Sequence, residues 1–99
     1  SKKTTIATIP IGYADGFSRK LGNGNGTVFI NQTACKTIGN ICMDMCMVDI
    51  TDIDCKEGDE VIVFETNSQL MELSKAMDTI PYEVLTGISS RVKRVYVQE

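Results

Sequence analysis

Residues 27–38, Thr27-Val28-Phe29-Ile30-Asn31-Gln32-Thr33-Ala34-Cys35-Lys36-Thr37-Ile38, read as a pair of short strands joined by a two-residue turn. β-branched and aromatic side chains suit a pleated, half-buried surface. Asn31-Gln32 breaks the run at the point where a tight turn can reverse the chain into a hairpin. A hairpin here sets a β class for the chain.

The flanks are punctuated in the same way. On the N-terminal side, Gly22-Asn23-Gly24-Asn25-Gly26 reads as a flexible hairpin or surface loop, because glycine and asparagine tolerate positive φ. It lacks the Lys-Ser/Thr ending of a P-loop and the spacing of a dinucleotide fingerprint. Before it, residues 4–11 alternate partially, with Ile6, Ala7, Ile9 and Ile11 apolar. Pro10 cannot donate to a ladder, so this is expected to be an edge or opening strand. On the C-terminal side, Gly39-Asn40 interrupts. Residues 41–50 are then apolar almost throughout, broken by Asp44 and Asp49. That run predicts strands buried on both faces, kinked near Asp44.

Residues 52–59 form an acidic loop closed by Gly58, and Glu60-Val61-Ile62-Val63-Phe64 is another strand. The period then changes. Ser68 is placed to cap a helix with Leu70, Leu73, Ala76 and Met77 three and four apart. Pro81 suits the first turn of a second helix over residues 81–86, ended by Gly87. Residues 92–97 return as a strand. The expected fold is mainly β: a small closed or nearly closed β-barrel with one or two short helices near the C-terminus.

Composition narrows the chemistry. A chain of 99 residues fits one domain spanning residues 1–99. No run approaches the roughly 18–20 apolar residues of a membrane span. Ser1-Lys2-Lys3-Thr4-Thr5 lacks the apolar core of a signal peptide, so a cytoplasmic location is expected. The net charge of −3 argues against a nucleic-acid partner, and Arg91, Lys93 and Arg94 read as a solvated face. Cys35, Cys42, Cys46 and Cys55 are expected to be free thiols. Cys42 and Cys46 would share one face of a strand, which core packing explains, and the alternating Met43, Met45 and Met47 likewise read as core.

There is no histidine and no Cys-x-x-Cys pair, so no zinc site is expected and every Ser-His or Cys-His arrangement is excluded. Proton transfer would need Tyr, Lys, Cys, Asp or Glu. The acidic loop does not have the spacing of an EF-hand.

Three constellations stand out. Gly12-Tyr13-Ala14-Asp15-Gly16 puts a phenol and a carboxylate where a strand breaks into a loop. The phenol could bind a small polar ligand, or Tyr13 could pack on the barrel rim above an Asp-Gly turn. Asn40-Ile41-Cys42-Met43-Asp44 sets a carboxylate in an apolar run. Either Asp44 has partners that compensate its burial or it sits at a bulge bonded to local amides. Ile80-Pro81-Tyr82-Glu83-Val84 puts a phenol at a helix start, where anions are favoured. Alternatively Tyr82 staples that helix to the barrel.

Taken in order, Ile9-Pro10-Ile11-Gly12-Tyr13-Ala14-Asp15-Gly16, Ile41-Cys42-Met43-Asp44, Tyr82-Glu83-Val84 and Arg91-Val92-x-Arg94-Val95-Tyr96 resemble the C-terminal domain of bacterial alanine racemases, across nearly the whole chain. The resemblance implies an N-terminal β/α barrel, outside residues 1–99, that holds pyridoxal 5'-phosphate on a lysine. It implies a head-to-tail homodimer in which one chain's barrel meets the other's β-domain around each active site. The reaction implied is interconversion of L- and D-alanine for peptidoglycan synthesis.

The lysine and tyrosine bases of the family would both lie upstream, so no catalytic base is expected in this chain and the isolated chain is expected to be inactive. By the same resemblance, Tyr13 lines the substrate entry and the backbone N–H of Met43 meets the substrate carboxylate. Asp44 lies near the entryway, and Tyr82 hydrogen-bonds the cofactor phosphate. The sequence departs from the commoner pattern at Asn40 (arginine in many relatives), Met45 (often glutamine) and Lys93 (usually proline). Asn40 cannot make the charged contacts of an arginine. Two competing expectations are a non-catalytic small-ligand or protein-binding module on the same fold and a structural dimerisation domain.

Overall fold

The computed structural model describes residues 4–87, 91–92 and 96–98. Among these residues there are seven strands: β1 (Ile6–Ile9), β2 (Thr27–Ile30), β3 (Thr33–Ile38), β4 (Cys46–Asp49), β5 (Val61–Ile62), β6 (Arg91–Val92) and β7 (Tyr96–Gln98). Two helices, α1 (Asn67–Ala76) and α2 (Pro81–Gly87), lie between β5 and β6. The strands form one antiparallel sheet in the order β6-β5-β2-β3-β4-β1-β7.

The two outer strands are neighbours in the chain. Val92 and Tyr96 are four residues apart, which limits their Cα atoms to about 14 Å. The sheet therefore curls until its edges nearly meet, which is the expected near-closed barrel. The corner is made by β3: its residues 33–36 pair with β2 and its residues 37–38 pair with β4. Inward side chains alternate along β1, β2 and β4, and register puts Val28 opposite Cys35, Ile30 opposite Val61 and Ala7 opposite Val48. Phe17, Leu21 and Val84 complete the core from outside the sheet.

The hairpin is as expected: Asn31 and Gln32 both have positive φ, 50° and 65°. A turn of this kind matches the twist of the strands but strains a residue with a Cβ at Gln32. Gln32→Gly is expected to stabilise the fold by about 0.5 kcal/mol, after the added freedom of the unfolded chain is subtracted. A rise in melting temperature of about 3 °C checks this.

Several expectations are corrected. β1 is not an edge strand, since it pairs with both β4 and β7, and Pro10 lies just past its end. Residues 41–50 are not strand throughout. Only Cys46–Asp49 joins the ladder, and its burial alternates rather than filling both faces. The reason is local: the carbonyls of Cys42 and Met43 accept from Tyr13 and Ala14, and Cys42 N–H donates to the Met45 carbonyl, so residues 42–45 turn away from the sheet. Residues 60–64 contribute only the two-residue strand β5.

The cap of α1 is Thr66, not Ser68. Its hydroxyl accepts from Gln69 N–H at 3.1 Å, and the Gln69 side chain accepts from Thr66 N–H at 3.2 Å. This reciprocal box was available in Thr66-x-x-Gln69. The second helix runs one residue further than expected, to Gly87. The middle of the strand expected over residues 92–97, with Lys93 and Arg94, lies outside the described residues.

The Gly22–Gly26 segment is not a free loop. Thr37, an inward residue of β3 and only 3% exposed, donates its hydroxyl to the Leu21 carbonyl at 2.6 Å. The same oxygen accepts from Gly24 N–H at 3.1 Å and Gly26 N–H at 3.3 Å. One buried hydroxyl thus uses its full bonding capacity to fold the loop against the barrel.

At the C-terminal end of β4, Asp49 accepts from the Thr51 hydroxyl at 2.6 Å and from Thr51 N–H at 2.9 Å, while Thr51 Oγ1 accepts from Thr5 N–H at 3.0 Å. The Thr51 hydroxyl, then its N–H, hold the Asp49 carboxyl below its ordinary 3.8. A depressed carboxylate contributes stability at pH above its unfolded value and loses it as pH falls through the folded value. Thr51→Val is therefore expected to flatten the acid limb of a stability–pH profile below about pH 4. An unchanged limb would show that Asp49 contributes nothing to acid unfolding. Among the described residues, no helix is long and apolar enough to cross a membrane.

Candidate functional site

Two of the sequence constellations come together in space. After β1 the chain makes a single 3₁₀ turn, Tyr13–Asp15, closed by Gly16 at φ 92°. Asp15 holds that turn by accepting from Gly12 N–H at 3.0 Å, so the carboxylate is used in the turn itself. Tyr13 N–H then donates to the Cys42 carbonyl and Ala14 N–H to the Met43 carbonyl, each at 2.9 Å. The loop after β1 and the loop before β4 are thereby laced into one surface.

Gly12 makes this lacing possible. A Cβ at this position would lie 2.3 Å from the Cys42 carbonyl oxygen and 2.5 Å from both the carbonyl carbon and oxygen of Met43. These are backbone atoms, which cannot swing aside. The glycine is needed for close approach; its own φ of −146° suits any residue.

The lacing leaves three groups on the outside. Tyr13 is 43% exposed and Met43 59% exposed, and Asp44 is exposed beside it. The expectation that Met43 is core is therefore wrong, and so is a buried Asp44: neither a bulge nor a buried partner is needed, because the carboxylate stays in water. Among the described residues the Met43 N–H has no hydrogen-bond acceptor. Arg19, from the 3₁₀ turn Arg19–Leu21, places its guanidinium 5.8 Å from the Tyr13 ring centre, within reach of a cation–π contact. Sequence reasoning missed Arg19, since two short 3₁₀ turns joined by residues 16–18 give no periodicity that would place it over the ring. It also missed Gly12, whose role depends on a loop thirty residues away.

Tyr82 lies elsewhere, in the first turn of α2, and is 69% exposed. At that exposure it does not staple the helix to the barrel. Val84, fully buried, does so instead. The phenol is thus free to meet a group from outside the chain. Ile80 and Leu85, 59% and 56% exposed, flank it on the same short segment.

The four cysteines are free thiols with different surroundings. Burial pushes the Cys46 thiol up to about 12 and the Cys35 thiol up to about 11. Cys55 is also raised, by burial first and then by the nearby carboxylates of Asp59 and Asp54. Cys42 is exposed, so it does not share the core with Cys46 as expected. Iodoacetamide at about pH 8 is expected to label Cys42 first and to reach Cys35 and Cys46 only on unfolding, because the thiolate is the reacting form. Peptide mass mapping over time checks the order. Equal labelling of Cys42 and Cys46 would contradict this placement of the 42–45 turn.

Comparison with known proteins gives a consistent result. The family described as the alanine racemase C-terminal domain matches residues 1–96. The chain is 49% identical to alanine racemase of Clostridium perfringens (strain SM101) over 100 residues, covering 96% of this chain and 26% of that protein. It is 43% identical to alanine racemase of Clostridium tetani over 103 residues, covering 99% of this chain and 27% of that protein. Among solved structures, alanine racemase of Bartonella henselae with covalently bound pyridoxal phosphate superposes with a TM-score of 0.76 at 44% identity, covering 94% of this chain and 26% of that one. The alanine racemase of Clostridium difficile 630 in complex with cycloserine superposes with a TM-score of 0.78 at 44% identity, covering all of this chain and 28% of that one. The chain spans about a quarter of the length of these relatives.

Proposed function

This chain belongs to the alanine racemase C-terminal domain family, and from that premise we propose that it completes the active site of a pyridoxal-phosphate-dependent alanine racemase, meeting the N-terminal barrel of a partner chain, with the cofactor held mainly by the barrel domain. The observation that supports this reading most directly is the lacing of residues 12–16 to residues 42–44. It sets an exposed phenol, an unpaired backbone N–H and an exposed carboxylate side by side.

Each group has a task that its chemistry permits. The Met43 N–H donates to a carboxylate oxygen of the amino acid and fixes its orientation. The Tyr13 ring, backed by Arg19, narrows the way in and excludes longer side chains. Asp44 sets a negative charge beside the passage, which attracts the substrate ammonium. Tyr82 fits a share in holding the cofactor, because its exposed phenol can donate to a phosphate oxygen. Pyridoxal phosphate, when bound, withdraws electrons and so acidifies the substrate Cα. The residues of this chain bind and orient. The proton is exchanged by bases outside it, and the chain alone is inactive.

The test is a chimera in which this chain replaces the matching quarter of the Clostridium perfringens racemase. It is expected to racemise L-alanine. Tyr82→Phe should weaken apparent cofactor affinity about tenfold or more, the value of one hydrogen bond to a charged phosphate. Tyr13→Ala, which removes the ring, should change KM with cofactor affinity unaltered. A chimera that loads cofactor and dimerises but does not racemise would sink the racemase reading and leave a non-catalytic binding module.

A further inference from the structure

The Gly22–Gly26 loop carries two Asn-Gly linkages, Asn23-Gly24 and Asn25-Gly26, which neither the fold nor the proposed function explains. Glycine after asparagine offers no side chain to obstruct attack of its backbone nitrogen on the asparagine side-chain amide. That attack is the common route of spontaneous deamidation. The backbone nitrogens that would attack, those of Gly24 and Gly26, both donate their hydrogens to the single hydroxyl of Thr37.

The two linkages are not held equally. Gly26 is buried, and besides donating to Thr37 it accepts from Thr37 N–H at 3.1 Å, so it is bound at both its N–H and its carbonyl. Gly24 is exposed at φ 88°, and its N–H bond to Thr37 is only part-buried. The Asn23 amide is exposed too, held by one bond at 3.3 Å from its Nδ2 to Asn40 Oδ1. Exposed bonds of this kind open readily to water.

From this geometry we infer that Asn23-Gly24 is a site of spontaneous, water-consuming modification, and that the Thr37 hydroxyl acts as the brake on it and on Asn25-Gly26. The Gly24 nitrogen forms a bond to Asn23 Cγ, and the bond from Cγ to Nδ2 breaks. Nδ2 leaves as ammonia with the hydrogen that Gly24 N gave up. Water then opens the resulting cyclic imide at either carbonyl, giving aspartate or isoaspartate at position 23. No oxidant or reductant is involved.

The product differs from the starting loop in two ways. A carboxylate at position 23 has no hydrogen to donate to Asn40 Oδ1, so two acceptors face each other where a bond stood. Isoaspartate also lengthens the main chain by one carbon, which draws the Gly24 N–H off Thr37. Asn23 N–H donates to the Gly39 carbonyl at 2.7 Å, so the disturbance reaches the segment that leads into residues 41–44.

The experiment follows the tryptic peptide covering residues 21–36 by mass spectrometry, with isoaspartate located by fragmentation. The intact protein is aged in mildly alkaline buffer beside Thr37→Val, Thr37→Ser and the free 21–36 peptide. In the intact protein Asn23 is expected to convert first, with Asn25 slower by about fivefold or more, one extra bond's worth of protection. Thr37→Val should speed both by about fivefold and leave the gap between them, because the Thr37 N–H bond to the Gly26 carbonyl survives, while Thr37→Ser keeps the order and rates of the parent. Conversion of Asn25 as fast as Asn23 in the folded protein overturns the inference. So does a folded Thr37→Val with unchanged rates, or an Asn23 that stays intact while the free peptide converts completely. If Thr37→Val does not fold, the contrast of parent and Thr37→Ser with the free peptide decides: equal rates in protein and peptide overturn the brake.

Discussion

Gly12→Ala is expected to cost about 3 kcal/mol of stability, among the largest effects of adding one methyl group anywhere in the described chain. The added carbon would sit 2.3 Å from the Cys42 carbonyl oxygen and 2.5 Å from the Met43 carbonyl. Those atoms are bonded to the loop after β1 through Tyr13 and Ala14 N–H, so relief requires the two loops to part. Urea unfolding should show the midpoint falling with little change in slope, and melting should drop by about 15 °C. Because the loops part, Tyr13 and Met43 lose their mutual placement, and a racemase chimera carrying the change should lose activity beyond its loss of stability.

Gly39→Ala is the control. Gly39 has φ 68° but nothing within 4 Å of an added Cβ, so it should lose only about 1 kcal/mol from left-handed backbone strain. Equal losses at the two positions would mean that close approach of the loops is not what requires glycine at position 12.

Thr37→Val is expected to lose about 3 kcal/mol while keeping the shape of the side chain. Valine fills the same space, so packing against Gly26 and Val48 survives. What goes is the oxygen that donates to the Leu21 carbonyl and accepts from Gly24 and Gly26 N–H. The Leu21 carbonyl and Gly26 N–H are left buried without partners, and an orphaned buried group costs about 1–3 kcal/mol. The Gly24 N–H can find water and costs less. Thr37→Ser retains the hydroxyl and should lose well under half as much, mostly through the missing methyl. A serine variant as unstable as the valine variant would assign the effect to packing instead of to the hydroxyl. Calorimetry on the two variants separates these outcomes.

The legible parts of the fold were the periodic ones. β2 and β3 appeared with their turn at Asn31-Gln32, because alternating β-branched residues around a two-residue break admit one reading. Leu70 and Leu73 gave α1 its buried face, and Pro81 opened α2. The errors fell where the backbone leaves the ladder. An apolar run at residues 41–50 reads as strand, yet Cys42 and Met43 give their carbonyls to the loop after β1 and Met45 gives its carbonyl to Cys42 N–H. Met43 and Cys42 therefore face solvent. Apolar character alone does not reveal which hydrogen-bonding partner a backbone will find.

Local sequence determined the mainly β class, the central hairpin, the late helices and the four motifs that mark the family. Each depends on neighbours within a few residues, where propensity and period act directly. Only tertiary structure decided that Gly12 must be glycine, that Thr37 should be a buried hydroxyl, that Arg19 stands over Tyr13 and that Met43 is exposed. Those facts are set by contacts between segments far apart in the chain: Gly12 with Cys42 and Met43, Thr37 with Leu21 and Gly26. Such contacts exist only after the sheet has curled and brought its loops together, so no window of local sequence holds the information.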